Sequence, residues 1–254
     1  MSRAAHSAEL APVPPALRGA LAAWNDWAGI RAERVRLAAV RLVDWREQIG
    51  QACPILTCTS GSGGEGKSVA VANLARALAR IDSGRVLLVD ADARGETSLS
   101  RHWEMEGRPG WSDWMADAIS DPQAGIGSIG PDVALMAHGR RAETPIQLLL
   151  APGARVRLER LRAQFRWVVV DAPPLLPLAD ASAWGSLSDG LLLIVRDGWE
   201  RRPLVARAMR GLDRARVAGM LMTYSRAAER ECRPWMPPLV RITTRRAGPR
   251  RTDG

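Results

Sequence analysis

The stretch that most limits the fold runs from Pro54 to Arg80. An apolar segment, Pro54-Ile55-Leu56-Thr57-Cys58, leads into Gly61-Ser62-Gly63-Gly64-Glu65-Gly66-Lys67-Ser68, and an alanine-rich segment from Val69 to Arg80 follows. Apolar run, glycine-rich turn and helical run in direct succession read as strand, loop and helix. The loop has the spacing G-x-x-x-x-G-K-S/T, in which backbone N–H groups hold phosphates, Lys reaches the terminal ones and Ser holds Mg²⁺. Its lysine carries further weight. Thirty-six residues are Lys or Arg, and Lys67 is the one lysine among them. A compact ammonium on a flexible stem folds back into a tight anion nest, whereas a planar guanidinium is too large for it. Lysine kept at this one place, against the chain's own bias, points to a bound nucleotide. Gly61, Ser62, Gly63, Gly64, Glu65, Gly66, Lys67, Ser68 and Val69 are therefore the expected phosphate-contacting residues.

The rest of the chain repeats the strand and helix alternation. Apolar strands are expected at 85–90, 133–137, 167–171, 191–195 and 217–222, with helices at 145–164 and 203–214. Continuous apolar strands between helices predict an α/β fold of three layers, with a mainly parallel central sheet and helices on both faces. Ligands of such sheets bind outside the carboxyl ends of the strands. Asp90 and Asp171 each close an apolar run at that edge, and Asp92 lies two residues beyond Asp90. Phosphoryl transfer needs a metal that bridges the terminal phosphates, held by oxygen ligands or their waters. Ser68 is the expected direct ligand and Asp171 acts through water. Asp90 and Asp92 share the metal shell, or one of the two accepts a proton from the attacking hydroxyl. ATP and Mg²⁺ are the implied cofactors.

Three segments follow: a leader and helical extension over 1–50, the nucleotide domain over 51–226 and an arginine-rich tail over 227–254. The net charge of +9 comes mostly from dispersed arginine, the pattern of a solvated face. Beyond the tail no basic stretch interleaved with aromatics is present, so nucleic acid is not an expected partner. Cys53, Cys58 and Cys232 form no zinc spacing and no disulfide framework. No run reaches the length of a membrane span, which places the chain in the cytoplasm by expectation. Trp103, Trp111 and Trp114 read as an aromatic core cluster or a partner surface. Trp24 and Trp27 stand between packing on the domain and docking to a membrane or partner.

Over residues 53–223 the chain resembles the bacterial protein-tyrosine kinases of capsule and exopolysaccharide systems, the CpsD/CapB type. The residues that carry the likeness are Thr59-Ser60 with the loop to Ser68, Ala72-Asn73-Leu74-Ala75, and Leu87 through Arg94. They continue with Gly110-Trp111-Ser112-Asp113, Pro145-Ile146-Gln147-Leu148-Leu149, and Val170-Asp171-Ala172-Pro173-Pro174. ParA/MinD-type partitioning ATPases resemble it in the same loop but carry a signature lysine where Ser62 stands here. The resemblance implies a P-loop NTPase fold and transfer of the γ-phosphate of ATP to a protein tyrosine. It also implies a membrane-embedded partner that governs polysaccharide chain length or export, and so a place at the inner face of the membrane. A homo-oligomer is implied too. A degenerate kinase or ATPase switch in the same complex is the alternative, and a partitioning ATPase the second.

Three departures from the family pattern stand out. Tyr224 is the chain's one tyrosine, where the family carries a C-terminal cluster. Thr223 takes the place of an adenine-reading asparagine, so Thr223 and Tyr224 are the expected base-contacting residues. The subunit-contact motif E-x-x-R-x-x-R falls on Glu33, Arg36 and Ala39, without its last arginine.

Overall fold

The computed structural model describes residues 30–92, 98–140, 145–176, 179–198 and 216–223, with single positions 203, 206, 207 and 213 between the last two. Trp24, Trp27, Tyr224, most of the helix expected at 203–214 and the arginine-rich tail lie outside the described residues.

Helix α1 (Ile30–Gln48) precedes β1 (Ile55–Ser60), α2 (Lys67–Ile81) and β2 (Val86–Asp90). Two short helices, α3 (Leu99–His102) and α4 (Trp111–Met115), lead to β3 (Ile126–Gly130) and β4 (Val133–Met136). Then come α5 (Pro145–Leu150), α6 (Ala154–Arg162), β5 (Trp167–Asp171), α7 (Asp180–Leu187), β6 (Gly190–Arg196) and β7 (Val217–Thr223). The seven strands form one sheet in the order β3-β4-β2-β5-β1-β6-β7. Every pairing is parallel except β3 with β4.

The three layers follow from residue alternation along each strand. Leu56, Leu88, Val169 and Ile194 point to one face, where Leu74 and Leu78 of α2 cover them. Ile55, Leu87, Val168 and Leu193 point to the other, against Trp111, Trp114 and Trp184. Both sides of the central strands are buried, which is why they read as unbroken apolar runs.

Helix α1 shares this core. Ala39 and Leu42 are buried with α2 residues in the first cluster, so the expected boundary at residue 50 does not separate two cores. Ala39 is fully buried, which leaves no room for the arginine of the subunit-contact motif. Arg36 pairs with Glu33 one turn earlier.

Two further features depart from expectation. Strand β3, Ile-Gly-Ser-Ile-Gly, has two glycines in five residues and no apolar run of its own. It forms because antiparallel pairing with β4 supplies its hydrogen bonds. The helix expected over 145–164 is two, α5 and α6, because Pro152 denies the first a continuation and Gly153 turns left-handed at φ 95°.

Gly110 joins the α4 segment to the end of β4. A Cβ there would lie 2.1 Å from the Ala137 carbonyl oxygen and 2.4 Å from the Gly139 nitrogen. Both are backbone atoms and cannot rotate away. We predict that Gly110→Ala destabilises the fold by about 2–3 kcal/mol, read as a lower midpoint in chemical denaturation.

Candidate functional site

The site grows from the junction of β1 and α2. Gly64 and Gly66 hold φ of 83° and 74°, which a side chain would strain, and this lets the loop wrap tightly before the helix begins. Gly66 is the N-cap of α2 and has no side chain to satisfy the first amides. The N–H groups of Lys67, Ser68 and Val69 therefore have no partner within the helix, and the first helical bond is Ala70 N to Gly66 O at 3.0 Å. A fifteen-residue helix opening this way is suited to an anion. A cavity of about 280 Å³ lies in front of it, walled by the loop, Ser68, Val69, Asp92, Leu99, His102 and Pro174.

The two aspartate strands meet beside it. Parallel pairing of β2 with β5 sets Asp90 directly against Asp171, and both are fully buried. Lys67 reaches across: its Nζ donates to Asp171 Oδ1 at 2.7 Å and to Asp92 Oδ2 at 3.1 Å. Burial works against the lysine's charge, yet the Asp171 and Asp92 carboxylates more than offset it and hold Lys67 above the ordinary lysine range. Burial also drives the Asp171 carboxyl up. The Lys67 ammonium and the Ser68 hydroxyl pull it back without cancelling that push. Among the described residues the buried Asp171 Oδ2 has no hydrogen-bond partner. A buried carboxylate oxygen left over beside the Ser68 hydroxyl fits the outer shell of a hard divalent cation. Among the described residues no group of three His, Cys, Asp or Glu could hold a metal by itself.

Asp90 does something other than expected. Its Oδ2 accepts from Ser98 Oγ at 2.8 Å and from the Ser100 amide at 2.7 Å, and its Oδ1 from the Asp92 amide at 3.3 Å. Oδ2 thus fastens the start of α3, and Oδ1 fastens the turn that follows β2. The cavity wall carries Asp92 in its place.

Glu65 also turns away from the cavity. Its buried carboxylate accepts the Ser62 amide at 2.9 Å and the Arg196 amide at 3.0 Å. The Ser62 N–H is thereby used inside the loop. Thr223 was expected beside the base; its hydroxyl donates to the Glu65 carbonyl at 2.8 Å. The ends of β6 and β7 thus fasten the phosphate loop from behind.

Trp103, Trp111 and Trp114 are all buried but do not form one cluster: Trp103 packs in the core on the α2 face of the sheet, Trp111 and Trp114 in the core on the other. Trp111 also acts at the site, donating from Nε1 to the Asp90 carbonyl at 2.9 Å. Cys58 is sealed under the loop, where burial pushes its thiol far up and keeps it inert. His102 is a wall residue that pattern reading missed. Its signal was Ser98, a helix N-cap residue four positions before it.

Residues 56–246 match the CobQ/CobB/MinD/ParA nucleotide-binding domain. The chain belongs to this family. Within the CobQ/CobB/MinD/ParA family it is 30% identical over 166 residues to tyrosine-protein kinase YwqD of Bacillus subtilis, covering 65% of this chain and 69% of YwqD. It is 32% identical over 160 residues to the succinoglycan biosynthesis transport protein ExoP of Rhizobium meliloti, covering 61% of this chain and 20% of ExoP. The kinase domain of Escherichia coli tyrosine kinase ETK superposes with a TM-score of 0.70 at 25% identity, over 80% of this chain and 79% of that one. The family branch is therefore that of the polysaccharide-system tyrosine kinases. The chain spans about a fifth of the length of the long relatives it matches.

Proposed function

We propose that this chain binds ATP with Mg²⁺ and transfers the γ-phosphate to a tyrosine of another protein, within a membrane complex that makes or exports polysaccharide. The observation that carries the reading is Lys67, held by Asp171 and Asp92 at the open N-terminus of α2. The two carboxylates occupy it as phosphate oxygens would. On binding, the amides of Gly66 to Val69 hold the phosphate chain, and Lys67 exchanges carboxylate for terminal phosphate oxygens. Ser68 and Asp171 would hold the metal, which would supply neutralising charge to the phosphates. Asp92, released by the lysine, faces the γ-phosphate end of the cavity. Asp90 keeps that wall in place from behind.

The acceptor lies elsewhere because the chain has one tyrosine, Tyr224, and no cluster. The partner is a membrane-embedded protein of chain-length or export type. ExoP, named as a transport protein and far longer than the matched segment, supports this. Attachment at the inner face runs through that partner; among the described residues no helix is long and apolar enough to cross a membrane. The missing tyrosine cluster favours a second reading, an ATPase switch that transfers no phosphate to protein.

Incubation with γ-labelled ATP, with and without the cytosolic segment of the neighbouring membrane protein, separates the two. Label on the partner's tyrosines, with the chain's own intact mass unchanged, is the expected result. Label found wholly as free phosphate establishes the switch. A chain that gains a stable phosphate at Tyr224 removes the claim that the acceptor is another protein.

A further inference from the structure

His102 stands in the cavity wall with Asp92 and Leu99, at the end of α3. Its Nδ1 lies 2.8 Å from the Ser98 carbonyl oxygen. A carbonyl only accepts, so Nδ1 carries a proton, and the lone pair of the neutral ring is on Nε2. Among the described residues nothing is bonded to Nε2.

The ring is held in place by the sheet. Ser98 caps α3, and its hydroxyl donates to Asp90 Oδ2 at 2.8 Å. The same oxygen takes the Ser100 amide at 2.7 Å. Asp90 is fully buried at the end of β2, so a rigid strand, a buried carboxylate and a capped turn together aim one imidazole into the cavity. A base oriented by a second group that is itself anchored is the arrangement proton transfer requires. It also gives Asp90 a purpose, since its Oδ2 is committed to this turn. Asp92 is the other proton acceptor in the wall, and it shares the Lys67 ammonium until a bound phosphate draws the lysine away.

Resting on the phosphoryl-transfer reading above, we propose that His102 Nε2 accepts the proton of the hydroxyl that attacks the terminal phosphate. The hydroxyl oxygen forms a bond to the γ-phosphorus as the bond from that phosphorus to the β,γ-bridging oxygen breaks. ADP leaves with the bond's electron pair. The hydroxyl proton moves to Nε2, and the half-buried imidazolium returns it to solvent.

Two variants test the assignment. His102→Asn keeps an N–H donor for the Ser98 carbonyl and has no base. His102→Ala opens space for a free imidazole. ATP affinity is measured by calorimetry with Mg²⁺, and turnover by release or transfer of γ-label. Both variants are expected to bind ATP like the unaltered chain while turnover falls about 100-fold, the ordinary contribution of a general base. Added imidazole restores turnover to His102→Ala and has no effect on His102→Asn. Unaltered turnover in His102→Asn overturns the proposal, as does a His102→Ala loss that saturating imidazole leaves in place. If the unaltered chain binds no ATP, or binds it without turnover, the phosphoryl-transfer reading falls and this proposal with it.

Discussion

Lys67→Arg is expected to abolish ATP binding while the chain still folds. Arginine serves at every other basic position, so only the local geometry can object. That geometry is narrow: Nζ sits 2.7 Å from one buried carboxylate and 3.1 Å from a second, with the side chain 7% exposed. A guanidinium keeps the charge and so keeps the acid pair neutralised. Its planar fork is too wide to turn from these carboxylates onto phosphate oxygens. The expected loss is at least about 100-fold in affinity, near 3 kcal/mol, measured by calorimetric titration with MgATP. Unchanged affinity would remove the lysine from the site.

Lys67→Met separates charge from shape. It strips Asp171 of its one ionic partner among the described residues, and uncovering a buried charge costs about 3–5 kcal/mol. Burial already raises the Asp171 carboxyl, and loss of the ammonium raises it further. The sign then follows: a carboxyl whose folded-state value is raised costs stability above that value, and the cost fades as pH falls and the group protonates. The Lys67→Met deficit should therefore shrink in acid. Adding Asp171→Asn to Lys67→Met should recover part of it at neutral pH.

Asp171→Asn alone should divide binding from chemistry. The loop amides and Lys67 remain, so nucleotide affinity is expected to change only a few-fold. The negative charge that complements the metal is gone, and such electrostatic support is largest as charge shifts between phosphates. Mg²⁺-dependent turnover is expected to fall by about 10²–10³. Calorimetry and labelled-phosphate assays on one preparation decide it, and an equal loss in both would make Asp171 a binding residue only. Asp90→Asn offers the contrast. Its amide would set N–H against N–H at Ser100, so the harm should appear first as lost stability around α3.

The loop, its strand and its helix were legible because each is local: glycines at fixed offsets, one lysine, and apolar and alanine-rich runs on either side. The strand ends Asp90 and Asp171 were legible for the same reason. Their division of labour was not. Sequence alone allowed Asp90 and Asp92 to share the metal shell, but the strand stops at Asp90 and the chain turns, leaving Asp92 at the cavity and Asp90 beneath it. Strand β3 could not be read because pairing with β4, and no pattern of its own, makes it a strand. Thr223 could not be read either, since its partner Glu65 is 158 residues away. The helical run at 145–164 was mislaid for a smaller reason: Pro152-Gly153 is a stop signal inside an otherwise continuous apolar rhythm.

The order of strands also bears on how the chain is made. β1 carries the phosphate loop, and both its neighbours, β5 and β6, emerge from the ribosome long after it. Thr59 waits 114 residues for Pro173, and Glu65 waits still longer for Thr223. Until β5 and β6 emerge, the defining motif is an apolar strand with two open edges, exposed to misassociation. Helix α2 beside it can form first, but a loop held from behind by β6 and β7 has no settled shape until those strands dock. The growing chain thus carries its nucleotide motif well before it has a nucleotide site.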